Sequence, residues 1–135
     1  MLFRSCFAAV LAVGLFSVAC SGVTSPSTYT PEDVTGTIEP GGTSTKTFSV
    51  ARTGELQLTL TTLTPAPRVG FLGITVGQQI GTICSPLYGY SIGLAAVGQQ
   101  YSLPTVLKGN YCVIVVDGAS VLPATATYTI RLLHP

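Results

Sequence analysis

Gly54-Glu55-Leu56-Gln57-Leu58-Thr59-Leu60-Thr61 is the stretch that decides the fold class. Leucine falls on every second residue, with Gln57, Thr59 and Thr61 in step between, so an extended chain puts the leucines on one face and the polar groups on the other. A helix would scatter Leu56, Leu58 and Leu60 around its circumference. The same alternation precedes it in Thr47-Phe48-Ser49-Val50. It returns near the end, where Tyr128, Ile130 and Leu132 alternate with Thr127, Thr129 and Arg131. Each reads as a half-buried strand.

Other segments fit around these. Tyr111-Cys112-Val113-Ile114-Val115-Val116 does not alternate, and its β-branched content predicts a central strand covered on both sides and broken by Asp117-Gly118. Val69 to Val76 and Ser91 to Val97 contain glycines, and the buried face changes between Phe71 and Leu72, which predicts a bulge near Gly73. Turn signals stand at Pro40-Gly41-Gly42, Arg52-Thr53-Gly54, Pro65-Ala66-Pro67, Lys108-Gly109-Asn110 and Leu122-Pro123, at the short spacing of a sandwich or barrel. Nothing after Cys20 carries a 3.6-residue period, so the backbone groups must be satisfied by antiparallel pairing and the domain is all-β. The tetrapeptide Val-Gly-Gln-Gln, at Val76 to Gln79 and again at Val97 to Gln100, is read as the mark of two related hairpins. Two copies do not make a solenoid.

Length and charge bound the function. A chain of 135 residues holds one domain of ordinary size. Only 8% of residues are charged, and the six bases are scattered. Nucleic acid is excluded as a partner on this reading, because neutralising phosphates needs a basic patch.

The N-terminus reads as an address. A short basic start from Met1 to Arg4 is followed by a mostly apolar run from Phe7 to Ala19, too short to span about 30 Å of hydrocarbon. Residues 1–19 are therefore assigned as a cleaved signal peptide. Ser17-Val18-Ala19-Cys20 resembles the bacterial lipoprotein box, which implies acylation of Cys20 and a membrane contact through that lipid anchor. Ser17 stands where that box usually carries Leu, and ordinary cleavage near Ala19 is the alternative, giving a secreted or periplasmic protein instead of an outer-membrane or cell-surface lipoprotein. Residues 20–31 are poor in apolar side chains and hold Pro26 and Pro31, so they are read as a flexible tether, with the folded domain over 32–135.

Thr35-Gly36-Thr37-Ile38-Glu39-Pro40-Gly41-Gly42, Lys46-Thr47-Phe48-Ser49-Val50 and Gly54-Glu55-Leu56-Gln57-Leu58-Thr59-Leu60 resemble the opening of bacterial pre-peptidase C-terminal domains. Lys108-Gly109-Asn110-Tyr111-Cys112-Val113 and Ala126-Thr127-Tyr128-Thr129-Ile130 resemble their close. The resemblance implies an antiparallel, jelly-roll-like β-sandwich of about eight strands, used as an accessory module on secreted proteins, here expected to stand without a peptidase. Relatives that bind calcium or collagen do so through acidic and aromatic residues, and no matching acidic cluster carries over.

Candidate site residues are few. Cys6 falls in the leader, which leaves Cys84 and Cys112 as a disulfide pair in an exported domain, or as a buried small residue with a free neighbour. No metal site is expected, since two thiols lack the remaining ligands of a closed zinc centre, and no cofactor is implied. His134, the single histidine, is penultimate, where chain ends fray and a general base is hard to hold. Glu32, Asp33 and Glu39 read as a solvated edge, with a shared cation as the alternative, and Asp117-Gly118 as a turn pair. No Gly-x-Ser-x-Gly elbow is present, so no catalytic residue is assigned. Tyr88 and Tyr90 in Pro86-Leu87-Tyr88-Gly89-Tyr90 are the binding candidates, as loop aromatics able to stack on an extracellular glycan or grip a protein, against the alternative that they pack over the sandwich end. The expectation is a non-catalytic, exported, structural or adhesive module. An accessory role toward a peptidase, or a hydrolase with Ser, His and acid converging in one cleft, is the rival.

Overall fold

The computed structural model describes residues 29–67 and 72–135; the assigned leader, Cys20 and nearly all of the tether lie outside them. Eight strands follow one another: β1 (Thr30–Ile38), β2 (Thr43–Val50), β3 (Gly54–Thr64), β4 (Leu72–Ile80), β5 (Ile83–Ala95), β6 (Gln100–Val106), β7 (Gly109–Val116) and β8 (Ala126–His134). They form two four-stranded antiparallel sheets in the orders β1-β8-β3-β6 and β2-β7-β4-β5. That interleaving is the jelly-roll sandwich, in which successive strands cross repeatedly between two sheets.

The alternating stretches make the core. Leu56, Leu58 and Leu60 of β3 lie beside Tyr128, Ile130 and Leu132 of β8, all fully buried, and face Phe48 and Val50 of β2 with Tyr111, Val113 and Val115 of β7. β7 is an inner strand, as its sequence predicts. Phe48 stacks on Tyr111 with ring centroids 5.8 Å apart. Tyr128 spans the layers: its hydroxyl shares a 2.9 Å hydrogen bond with Ser44 Oγ on the opposite sheet, and burial pushes its phenol above the ordinary tyrosine range. Gly36 makes room for it, since a Cβ there would stand 2.5 Å from the Tyr128 hydroxyl oxygen.

A register shift falls beside Gly73, between Leu72 and Ile74 of the β4–β5 ladder, but β4 itself keeps its alternation from Leu72 to Val76 and carries no bulge there. The surplus residue is on β5, because Leu72 pairs with Ala95 and Ile74 with Ile92. The repeated tetrapeptide does not mark related hairpins. Val76 to Gln79 lies within β4, whereas Val97 to Gln100 forms the β5–β6 connection and the first residue of β6, with Gly98 at φ 84°.

Strand directions sort the connections onto two ends. β1–β2, β3–β4, β5–β6 and β7–β8 are joined at one end; β2–β3, β4–β5 and β6–β7 are joined at the other, where β1 begins and β8 finishes. These are called below the far end and the entry end. The ladder begins at Thr30, two residues ahead of the boundary drawn from composition.

The C-terminus does not fray, which corrects the expectation for His134. Thr30 pairs with His134 in the β1–β8 ladder, Arg52 N donates to Pro135 O at 3.3 Å, and His134 is only 4% exposed. A terminal strand with a paired neighbour on each side is held as firmly as any other.

Candidate binding surface on strand β5

β5 is an edge strand, and its sequence makes it an irregular one. Thr75 of β4 pairs with Ser91 and Gly77 with Pro86, so Leu87 to Tyr90 all stand opposite Val76 and bulge from the ladder. Gly89, at φ 82°, supplies the left-handed backbone that turns the bulge. The two tyrosines, expected in a loop, therefore lie in this bulge of β5, and it separates them. Tyr90 packs against the core and its hydroxyl donates to Thr105 O of β6 at 2.7 Å. Tyr88 is fully exposed.

Tyrosine hydroxyls also close the seam between the sheets. Tyr101 of β6 accepts from Ala96 N at 3.0 Å and donates to Leu94 O at 3.0 Å, with Gln99 Oε1 as a second acceptor at 3.2 Å. No sequence signal marked Tyr101 for this role, because a strand tyrosine at a sheet edge looks the same whether its hydroxyl meets water or a carbonyl.

Cys84 and Cys112 form a disulfide, with Cα atoms 5.9 Å apart. β4 lies between their strands, and Gly77 is the Cys112 partner in the β4–β7 ladder. The bridge forms because β5 folds down over Gly77: a Cβ there would stand 2.6 Å from Ser85 O and 2.9 Å from Cys84 Sγ. A loop of 28 residues is closed, contributing roughly 3–4 kcal/mol through the entropy it removes from the unfolded chain. A disulfide is compatible with an exported protein.

At the far end the β5 flank opens into a groove of about 310 Å³ lined by Gly73, Gly93, Leu94, Val116, Ala119 and Val121. None of these side chains titrates. The flank is likewise uncharged, since no Asp, Glu, Lys or Arg occurs between Arg68 and Lys108.

Glu32, Asp33, Asp117 and the histidine are engaged elsewhere, and Glu39 is exposed. His134 Nε2 lies 3.2 Å from Glu32 Oε2, its ring is tilted against Phe48, and its Nδ1 is buried without a partner. Arg131 holds Asp33 through two 2.9 Å hydrogen bonds and keeps that carboxyl below its usual value. Asp117 does more than mark a turn. Its carboxylate is fully buried and accepts from Gly41 N (3.1 Å), Val121 N (2.8 Å) and Leu122 N (3.1 Å), tying the β1–β2 turn to the β7–β8 connection. Burial pushes this carboxyl up, but the three N–H donors outweigh it and the net shift is downward. Among the described residues no group of three or more His, Cys, Asp or Glu is placed to hold a metal ion.

No protein-family model matches the chain, and no curated protein is significantly similar to it.

Proposed function

We propose that this chain is a non-catalytic exported module of the bacterial envelope, anchored through an acylated Cys20, that binds neutral glycan by its β5 flank. The observation that carries the binding reading is Tyr88. A tyrosine held clear of the surface on a glycine-turned bulge, in a flank without charge, offers a ring face to an uncharged partner. Strand addition by a protein is the weaker choice, because Pro86 and two register shifts interrupt the β5 edge. Export is supported by the leader and by the Cys84–Cys112 bridge. The resemblance to pre-peptidase C-terminal domains supports an accessory rather than catalytic role.

Titration of the chain with a panel of neutral oligosaccharides tests the binding reading. Tyr88→Ser is expected to leave the melting temperature unchanged and to weaken binding about tenfold, the worth of one aromatic contact. Tyr90→Phe is expected to lower stability by about 1 kcal/mol through the lost bond to Thr105, with binding intact. Binding indifferent to Tyr88→Ser would overturn the reading.

A further inference from the structure

The entry end carries an apolar feature separate from Tyr88. β4 and β5 meet there in a tight hairpin through Gly81 and Thr82, with Gly81 at φ 61°. The flanking cross-strand partners Ile80 and Ile83 are 62% and 69% exposed. Leu107, in the β6–β7 connection at the same end, is 67% exposed. Single exposed aliphatics are ordinary on a protein surface, so their placement has to carry the argument.

Three things are placed with them. Arg52 and Lys108 are exposed in the β2–β3 and β6–β7 connections of this end, and Lys108 N donates to Thr53 Oγ1 at 3.4 Å, which brings those connections together. Two acids stand at the same end, Glu32 beside His134 and Glu55 accepting from the Tyr29 hydroxyl. Finally, β1 starts here, and Thr30 is ten residues beyond Cys20, a span of at most about 36 Å. A chain anchored at Cys20 is therefore joined to the lipid at this end, and the apolar and basic side chains here supply the orientation that a tether of this length leaves free.

We infer that the entry end rests on the lipid bilayer, with Ile80, Ile83 and Leu107 in the boundary between headgroups and acyl chains and Arg52 and Lys108 on lipid phosphates. This inference rests on the anchor reading. Three aliphatic side chains do not hold a soluble domain on a membrane by themselves; they orient one that an anchor already keeps at high local concentration. The disulfide suits the task. Cys84 follows Ile83 directly and is tied to Cys112 of β7, so the hairpin meets the surface as a preformed wedge and loses little entropy on contact. The far-end groove then faces away from the membrane.

The chain contains no tryptophan, so a single introduced one reports its own depth. All eight strands, the described core and the disulfide lie beyond residue 29, and a chain beginning at Cys20 keeps them. Such a chain, oxidised at Cys84 and Cys112, is coupled through Cys20 to a maleimide lipid in vesicles of phosphatidylethanolamine and phosphatidylglycerol. With Ile83→Trp, emission is expected to shift to the blue and to fall at least about twofold when the acyl chains are brominated, as for a side chain lodged 5–10 Å deep. With Val97→Trp, in the β5–β6 connection of the far end, neither change is expected. Leu107→Trp repeats the reading away from the hairpin should Ile83→Trp not fold. Quenching equal at both ends, or none at Ile83→Trp and Leu107→Trp, overturns the inference; a contact made only with membrane protein gives the second result. The anchor reading fails separately, by the absence of acyl mass on Cys20 in protein recovered from cells.

Discussion

Gly77→Ala is expected to destabilise the domain by about 2–3 kcal/mol, the upper range for one methyl forced into a filled space. The new Cβ would lie 2.6 Å from Ser85 O and 2.9 Å from Cys84 Sγ, and the nearer of these is backbone that no rotamer change can move aside. β5 would have to lift off β4, against the bridge that holds it down. The cost is therefore expected to depend on the bridge. With Cys84→Ser and Cys112→Ser in place, β5 is free to rise, and the penalty for Gly77→Ala should fall below about 1 kcal/mol. Urea unfolding of the four proteins measures the coupling. Equal costs in both backgrounds would mean that Gly77 is required for some reason other than the strap.

Asp117→Ala is expected to cost about 3 kcal/mol, because it leaves the buried Leu122 N–H and the part-buried Gly41 and Val121 N–H groups without their acceptor. Asp117→Asn keeps one acceptor oxygen and turns an amide NH₂ toward the remaining donors, so a smaller loss of about 2 kcal/mol is expected. The carboxylate also sets an acid limit. Its folded-state pKa is depressed, so its contribution is fully present above the unfolded value of about 3.9 and is lost as pH falls through the folded one. Asp33 is shifted the same way by Arg131, but that pair is exposed and salt screens it. Stability measured between pH 2 and 6 in high salt should fall at the acid end for the native chain and flatten for Asp117→Asn. An unchanged slope in that variant would contradict the role given to the buried carboxylate.

How far the molecule can be read from its sequence follows from what each residue must satisfy. Leu56, Leu58, Leu60, Tyr128, Ile130 and Leu132 obey one demand, a dry face and a wet one, and period two states it openly. β5 answers to several demands at once. Its edge position removes half of the ladder, its bulges break the alternation, and the crossing over Gly77 draws on contacts remote in the chain. Val-Gly-Gln-Gln shows the limit plainly: Gly77 is a glycine because β5 crosses it, Gly98 because its backbone is left-handed, and four letters cannot tell these apart. Tyr88 and Tyr90 differ for the same reason, since a bulge sends neighbours separated by Gly89 to unlike surroundings. Asp117 has the letters of a turn pair, and only the approach of Gly41 from the β1–β2 turn makes it a buried clasp. Cys84 and Cys112 could be paired in advance because an exported domain leaves few other uses for two thiols.

The claim beneath all of this is that the chain leaves the cytoplasm, is fixed to lipid at Cys20 and is strapped across Gly77. Intact-mass measurement of the protein recovered from the cell envelope, before and after reduction, tests it directly. The account predicts a chain that begins at Cys20, carries acyl mass there, and gains two hydrogens on reduction as Cys84 and Cys112 part. A chain that retains Met1, bears no lipid and keeps the same mass under reductant would contradict it.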